Sequence, residues 1–176
     1  MIYTVECNFN NPSEETRWNN FYSSDKLPAL ISVPGFLTSQ RFKAQTYNCP
    51  SYLAIHTITR VDVLTSIDYR EKGGGNFARW QHFITEWHRN VYEGIEMAPN
   101  VVEKEYLLLC SSSPDQLQQL KLTPFALNAV ALDRFPEFRW LATIDGIEIG
   151  NIIRALPKEV HLYEPLGMQL VSNYHC

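Results

Sequence analysis

The sequence has no excess of basic residues, no long apolar run and no closely spaced cysteines. Its 176 residues include 15 lysines and arginines against 19 aspartates and glutamates, a net charge of -4. A nucleic-acid-binding protein needs a basic face, so this balance argues against such a partner. No apolar stretch approaches the ~20 residues that a membrane-spanning helix requires. We therefore predict no nucleic-acid partner and no membrane contact.

The four cysteines are Cys7, Cys49, Cys110 and Cys176, and no two of them are close in sequence. Such spacing favours free thiols over a disulfide framework or a zinc site. The first residues, MIYTVECNF, contain no charged segment, no long apolar segment and no cleavage site. Because nothing there is typical of a secretion signal, we predict a cytoplasmic location.

Motifs for common nucleophiles and cofactors are also missing. The chain has no G-x-S-x-G elbow, and Gly73–Gly75 is not followed by the Lys-Ser/Thr pair of a phosphate-binding loop. His82 and Glu86 stand four residues apart and can meet on one face of a predicted helix, but no third ligand occurs at a matching spacing. We therefore predict no metal and no cofactor.

The element order predicts the fold class. Hydrophobic residues make up 45% of the chain and charged residues 19%, which is typical of one globular domain. Residues 1–100 show the pattern β-α-β-β-α-β, and residues 101–176 repeat it in a shorter form. Each unit forms an antiparallel sheet with helices on one face. We predict an α+β fold in which two tandem ferredoxin-like (βαββαβ) units close as a fused, pseudo-twofold dimeric α+β barrel.

Three stretches give specific predictions. IYTVECNF is predicted as the first strand, because it alternates and is rich in β-branched and aromatic residues. The helix after it carries Trp18 and Tyr22 on one face, since they lie four residues apart. Residues 76–90 are predicted as a helix, followed by a closing strand within residues 91–98.

Two segments resemble a known family. WNNFYSSDKLPALISVPGF, followed by RF, resembles the pattern W-x-x-W/F-Y-x-x-x-H-L-P-x-L-L-x-V-P-G-F and the Arg-aromatic pair of EthD-like proteins. GGGNFARWQHFITEWHRNVY is similar to the later Gly-rich, Trp-containing helix of that group, which ends in R-x-x-Y. The resemblance covers about residues 1–95 and implies the dimeric α+β barrel superfamily. That superfamily includes cofactor-free oxygenases, isomerases, dehydratases and haem enzymes.

One position departs from the family pattern. Where the EthD-like motif has histidine, this chain has Lys26, so the role of that histidine is not carried over. The haem-binding barrels of the superfamily carry an axial histidine on a helix of the haem-binding half. The corresponding helix here, GIEIGNIIRAL, has none, and His161 falls on a predicted strand. The resemblance therefore disfavours haem.

His56 and Glu6 are the predicted acid–base pair. On each of two neighbouring strands the more polar alternate set is expected to face the barrel interior, which places both residues in one lumen. A carboxylate and an imidazole in a desolvated lumen are suitable general acid–base partners. The alternative is a hydrogen-bonded interior pair with a structural role.

Lys26 and Arg41 are predicted at the mouth of the barrel. Lys26 is a candidate to hold a carboxylate or, if desolvated, to act as a base or Schiff-base amine; the alternative is a solvated surface lysine. Arg41 with Lys26 would clamp an anionic substrate, and the alternative is a surface ion pair. Trp18 and Tyr22 are predicted to line the substrate pocket, with core packing as the alternative. Tyr52 is predicted to lie at the edge of the pocket opening.

Two functions follow from these residues. The first is a cofactor-independent enzyme of the lyase or isomerase type, such as a dehydratase, isomerase or decarboxylase, acting on a small anionic or aromatic metabolite. Its catalytic residues would be His56, Glu6 and Lys26, and its substrate-binding residues Arg41, Trp18, Tyr22 and Tyr52. The second function is that of a non-catalytic small-molecule binding or accessory protein of a catabolic pathway. In both functions the partner is a small-molecule ligand. The exposed edge of the last strand also allows pairing with a second copy, so a homodimer is a further expectation.

Overall fold

Strands and short helices alternate along the computed structural model, which describes residues 1–173 and so leaves Cys176 outside. The strands are β1 Ile2–Phe9, β2 Phe36–Ala44, β3 Tyr52–Ile58, β4 Ile84–Glu93, β5 Glu105–Cys110, β6 Phe125–Leu132, β7 Phe138–Asp145, β8 Val160–Pro165 and β9 Leu170–Val171. The α-helices are α1 Glu15–Phe21, α2 Leu27–Ile31, α3 Ile67–Glu71, α4 Asp115–Gln118 and α5 Gly146–Ile152. A π-helical segment, Tyr22–Lys26, joins α1 to α2, and 3-10 helices span Val61–Thr65, Ala78–Phe83 and Ile153–Ala155.

Eight of the strands close into an antiparallel barrel. Their order is β3-β1-β4-β6-β7-β5-β8-β2, and β2 pairs back onto β3 to complete the ring. The short β9 pairs with β2 at Thr38 and Ser39. Strands from residues 1–100 and strands from the rest of the chain occupy two adjacent blocks of four. The fold is therefore an α+β barrel to which both halves of the sequence contribute.

Alternation along the strands divides the side chains between two directions. Ile2 and Leu53 point into the lumen, where they pack with apolar residues of the second half such as Leu107. Their sequence neighbours Tyr3 and Tyr52 point outward and pack under the helices of the first half. A smaller apolar layer lies between α5 and the second half of the sheet. The barrel therefore has an apolar layer in its lumen and two apolar layers under its helices.

The prediction of a helix over residues 76–90 is wrong. A 3-10 helix covers Ala78–Phe83 and β4 covers Ile84–Glu93, so the closing strand begins well before residues 91–98. β4 lies between β1 and β6, and both neighbours hydrogen-bond to it. These two ladders, together with the burial of alternate side chains, outweigh the helical spacing of the aromatic residues in this stretch.

Other elements agree with the sequence. IYTVECNF forms β1 as predicted, and at the end of the chain β8 stops at Pro165 before the short β9 begins at Leu170. The longest helical stretch runs from α1 through the π-helical segment to α2. Across residues 1–173, no helix has the length and apolar character needed to cross a membrane.

Gly94, just after β4, offers a test of the strand register. Its φ is +131°, and an added Cβ would lie 1.9 Å from the carbonyl oxygen of Ala126 on β6. We expect Gly94→Ala to lower the free energy of unfolding by about 2–4 kcal/mol, because a barrel strand must shift. Gly150→Ala is the control: an added Cβ in α5 meets nothing within 4 Å, so stability should rise by about 0.5–1 kcal/mol. Urea unfolding measures both, and equal effects would contradict the β4–β6 contact.

Candidate functional site

An aromatic layer lies between the sheet and the helices of the first half. Trp18 is fully buried, stacks on Phe9 with ring centroids 4.6 Å apart and meets Tyr52 edge-on at 4.5 Å. Tyr22, on the same face of the helical stretch, contacts Trp18 at 5.9 Å. Flat apolar rings with polar edges suit an aromatic ligand.

Arg41 is a buried cation in this layer. It is 3% exposed, and its guanidinium carbon lies 4.0 Å from the Tyr22 ring centroid and 4.8 Å from that of Trp18. Its Nη2 donates to Oδ1 of Asn19 at 2.9 Å. In the described part of the chain, no acidic side chain makes an ion pair with it. Burial lowers the pKa of Arg41 from its ordinary value.

Lys26 is a second buried cation and ends the π-helical segment. It is 8% exposed, and its Nζ donates to the carbonyl oxygen of Gly73 at 2.9 Å and to that of Asn76. Within residues 1–173 it has no ion pair with a carboxylate. Burial lowers the pKa of its ammonium to about 8. Since π-helical turns are rare and frequently functional, the position of Lys26 is a second indication of a site.

His56 lies on β3 in the same layer and is fully buried. Its Nδ1 is 2.8 Å from the hydroxyl of Ser39, and its ring stacks on Tyr3 with centroids 5.3 Å apart. Its Nε2 has no hydrogen-bond partner among the residues described. Burial, and then the charge of Lys26, lower the pKa of His56 to about 3. The imidazole is therefore neutral at physiological pH, and its buried Nε2 is unpartnered among the residues described.

A cavity of about 10 Å³ lies beside these residues, under the loop from Gly73 to Phe77. Tyr3 and Tyr69, whose hydroxyls are hydrogen-bonded at 2.9 Å, line it with Lys26. Burial raises the pKa of Tyr3 well above its ordinary value, so its hydroxyl stays protonated. A space of this size holds about one water. A larger molecule enters only if the glycine-containing loop moves, and Lys26 donates two of the hydrogen bonds that hold this loop.

The placement of the predicted site residues differs from the expectation at one point. His56 and Glu6 were expected to share the lumen, but only Glu6 does so. His56 faces the helices together with the remaining candidates, which are Lys26, Arg41, Trp18, Tyr22 and Tyr52. The polar alternate set of β3 points outward because a polar aromatic layer under the helices satisfies it, while Leu53 and Ile55 fill the lumen. The acid–base pair of His56 and Glu6 is therefore not formed.

In the lumen, Glu6 forms an ion pair with Arg139 of β7 instead. Oε2 of Glu6 accepts a hydrogen bond from Nη2 of Arg139 at 2.7 Å, and both side chains are nearly inaccessible. Burial opposes the charge of Arg139, but Glu6 and then Tyr92 outweigh it, so the pKa of the guanidinium lies above its ordinary value. The lumen therefore contains a compensated pair of charges, in contrast to the layer under the helices.

Three participants were missed from the sequence. Tyr3 pairs with His56 across the β1–β3 ladder, and Ser39 pairs with it across β2–β3. Correct assignment of the outward face of β3 would have identified both. Arg139 is 133 positions from Glu6, but a single charge inside the apolar strand FRWLATI was a signal that it needs a buried partner.

His82 and Glu86 do not share a helix face, because His82 lies on a 3-10 helix and Glu86 on β4. Among residues 1–173 there is no group of three or more His, Cys, Asp or Glu side chains that could hold a metal ion.

Comparison with known proteins reveals similarity at the level of fold. No family model and no curated protein matches the sequence. An anthrone oxidase-like protein superposes with a TM-score of 0.54 at 8% identity, covering 98% of this chain and 93% of that one. A protein named as a monooxygenase from Lactobacillus acidophilus gives 0.52 at 6% identity, covering 98% and 99%. Another so named, from Fusobacterium nucleatum, gives 0.53 at 9%, covering 95% and 93%.

These similarities confirm an α+β barrel for this chain at the level of fold alone. The predicted reaction class is contradicted. The neighbours are named as oxidase-like and monooxygenase proteins, which is neither the lyase or isomerase chemistry nor the non-catalytic binding role that the sequence suggested.

The neutral state of His56 predicts a specific pH dependence. Its pKa is about 3 in the folded protein and about 6.5 when unfolded. Between these values the unfolded chain binds more protons, so stability falls as the pH falls from about 6.5 towards 3. Between pH 7 and pH 5 the free energy of unfolding of the native protein should fall by about 2 kcal/mol more than that of His56→Gln. Urea unfolding at both pH values measures the difference, and parallel pH profiles would show that the ring is not neutral and buried.

Proposed function

We propose that this protein uses O2 to oxidise an activated CH2 group of a small aromatic compound, in the layer between β1, β3 and the first helices. The observation that carries the proposal is a pair of buried cations without a carboxylate partner. Lys26 and Arg41 both lie within 5.8 Å of the Tyr22 ring centroid, and within residues 1–173 neither has an acidic partner.

Buried positive charge favours an anionic intermediate. Removing a cation from water is costly unless an opposite charge compensates it. The lumen meets this requirement internally with Glu6 and Arg139, whereas the layer under the helices does not. A substrate that becomes an anion during the reaction supplies the missing charge at the moment when stabilisation lowers the barrier. An aromatic compound whose CH2 group loses a proton to form a delocalised carbanion or enolate has this property.

Lys26 is the proposed base. A base works best when its pKa lies near the working pH, and burial lowers the pKa of Lys26 to about 8. The neutral amine keeps two N–H groups, which match the two carbonyl acceptors of Gly73 and Asn76. Its lone pair is then free to accept a proton from a molecule in the cavity. After the transfer, the ammonium ion lies beside the anion that it created.

The reaction balances with O2 as the only co-reactant. Lys26 removes a proton from the CH2 group, and the carbanion transfers electrons to O2 and forms the C–O bond of a hydroperoxide. The peroxide anion takes back the proton held by Lys26 to form this hydroperoxide. The hydroperoxide then loses its remaining C–H hydrogen as a proton and its terminal oxygen as hydroxide, which combine to one water, so that the CH2 group becomes a ketone carbonyl and each O2 yields one water. The substrate loses four electrons and O2 gains four. Because the carbanion reduces O2 directly, this route requires no resident cofactor.

The neighbouring polar groups have supporting roles in the proposal. His56 is neutral, with Nε2 unpartnered in the described residues, and Tyr3, whose hydroxyl stays protonated, lines the cavity together with Tyr69. Neutral hydrogen-bonding groups of this kind orient a substrate oxygen without adding charge. His56 thus changes from the acid–base group predicted from the sequence to a hydrogen-bonding group.

The names of the structural neighbours support an oxidation. One of them is described as anthrone oxidase-like, and anthrone carries a CH2 group between two aromatic rings, opposite a ketone. Deprotonation of that group gives a stabilised anion of the type described above. At 8% identity the neighbour supports the reaction class through the shared fold alone.

The proposal also includes the division of the barrel into two units and the class of ligand. The strand order β4-β1-β3-β2 of the first half recurs as β8-β5-β7-β6 in the second, which supports two ferredoxin-like units divided near residue 100. The ligand is a small molecule. Membership of the EthD-like group, a cytoplasmic location and a homodimer stay predictions.

Replacing Lys26 tests the proposal. With anthrone as substrate, Lys26→Met should lower kcat about 100-fold, the usual contribution of a positioned base. The native rate should rise from pH 7 and level off above about 8, and the variant should lose this rise. An oxygen electrode and the absorbance of the oxidised product measure both quantities.

Lys43→Met is the matched control. Lys43 also lies over a tyrosine ring, that of Tyr52, but it is 44% exposed and paired with Glu15, so its loss should leave the rate unchanged. Near-UV circular dichroism checks that both variants fold. Absence of O2 uptake above the spontaneous rate between pH 6 and 9, or equal rates in native protein and Lys26→Met, would refute the proposal.

A further inference from the structure

A groove beside Arg41 is built from both halves of the chain. It has a volume of about 180 Å³ and lies between α2 and the segment that connects β8 to β9. Leu27 forms one wall, and Leu166, Met168 and Leu170 form the other. Backbone pairing fixes the second wall, since the Leu166 N–H donates to the Arg41 carbonyl at 2.9 Å. An adjacent groove of about 510 Å³ shares Met168 and extends the available space.

The two buried cations face different spaces. Arg41 lines the groove, whereas Lys26 lines the small cavity under the glycine-containing loop. The Tyr22 ring contacts both of them and also lines the small cavity. A clamp in which Lys26 and Arg41 hold the same anionic group is therefore not formed.

Arg41 has unused capacity to bind an anion. Only Asn19 accepts hydrogen bonds from its guanidinium in residues 1–173, at 2.9 Å to Oδ1 and 3.5 Å to the carbonyl oxygen. Lys43, two residues further along the same strand, has Glu15 at 3.1 Å and points to solvent. A guanidinium can form up to five hydrogen bonds and binds carboxylates in a bidentate manner. Arg41 is thus a desolvated cation that borders an open space and lacks an anion.

We propose that this groove is a subsite for an oxygen anion carried on an aromatic body, with Arg41 contacting the anion and Leu27, Leu166 and Leu170 contacting the rings. The inference rests on the proposed function for the place of the reacting group, which lies on the Lys26 side of Tyr22. The substrate class narrows accordingly to fused-ring compounds that carry a carboxylate or phenolate at the end away from the reacting carbon. Met168, 88% exposed, has the flexible side chain that adapts to ring systems of different shape.

Binding of three probes tests the subsite without any turnover. 2-Naphthoate carries a carboxylate, 2-naphthol carries a hydroxyl that ionises at high pH, and 2-naphthylmethanol is the neutral analogue. In fluorescence titrations we expect Arg41→Met to raise the Kd of the anionic probe at least ten-fold and Arg41→Lys to give an intermediate value. If replacement of Arg41 weakens the binding of naphthoate at pH 7, the anion that the groove binds is a carboxylate. If it weakens the binding of ionised naphthol, that anion is a phenolate. The proposal is overturned if neither probe binds more weakly to the Arg41 variants, or if the neutral analogue binds the native protein as tightly as the anionic probes do.

Three further variants make the result decisive. Arg79→Met is the control, because Arg79 also stacks on an aromatic ring, Trp80 at 4.6 Å, but is exposed and does not line the groove; its Kd should be unchanged. Ser23 is exposed and lines the groove, so Ser23→Glu places a carboxylate beside Arg41.

Ser23→Glu should abolish naphthoate binding and raise the Tm, whereas Ser23→Gln should retain binding. Comparison of these two variants tests the subsite even if Arg41→Met fails to fold. Naphthoate binding by Ser23→Glu would contradict the subsite. If binding depends on Arg41 but anthrone is not oxidised, the proposed reaction fails and the subsite stands. If anthrone is oxidised but binding ignores Arg41, the subsite alone is wrong.

Discussion

Closure of the barrel gives each strand only two directions for its side chains, the lumen or the outer layer, and the distribution of charge follows from that constraint. Arg139 and Glu6 point inward from opposite halves and neutralise each other. On the outward side of β2, Arg41 meets aromatic rings and an asparagine but no carboxylate among residues 1–173. Because burial penalises uncompensated charge, the outer layer is the place where a ligand has most to contribute.

The helical stretch from α1 to α2 completes this layer. Its π-helical segment places Tyr22 and Lys26 over the sheet, and the Lys26 ammonium hydrogen-bonds the loop at Gly73 and Asn76. Burial under this loop also lowers the pKa of the lysine, because it removes the charged form from water. Substrate entry, base strength and loop position are therefore linked through one side chain.

Much of this architecture was available from the sequence, and the exceptions have physical causes. Alternation identified β1, and the element order with the EthD-like resemblance gave the barrel. The segment that forms β4 was misassigned because aromatic spacing is a local signal, whereas its pairing with β1 and β6 is not. His56 was placed on the wrong face because polar residues were expected in the lumen; the lumen is mainly apolar. The single charge in FRWLATI indicates that Arg139 needs a buried partner, but the identity of that partner, Glu6 at 133 positions away, leaves no local pattern.

The central claim is that Lys26 is buried in the layer that holds Arg41, without an acidic partner in residues 1–173, so that its amine is a base near neutral pH. NMR titration of the Lys26 side chain, with labelled lysine and assignment by Lys26→Arg, measures this property directly. The account predicts a pKa of about 8 for Lys26, rising when an anionic ligand occupies the layer. A pKa at the ordinary lysine value of about 10.4, unchanged by ligand, would contradict it.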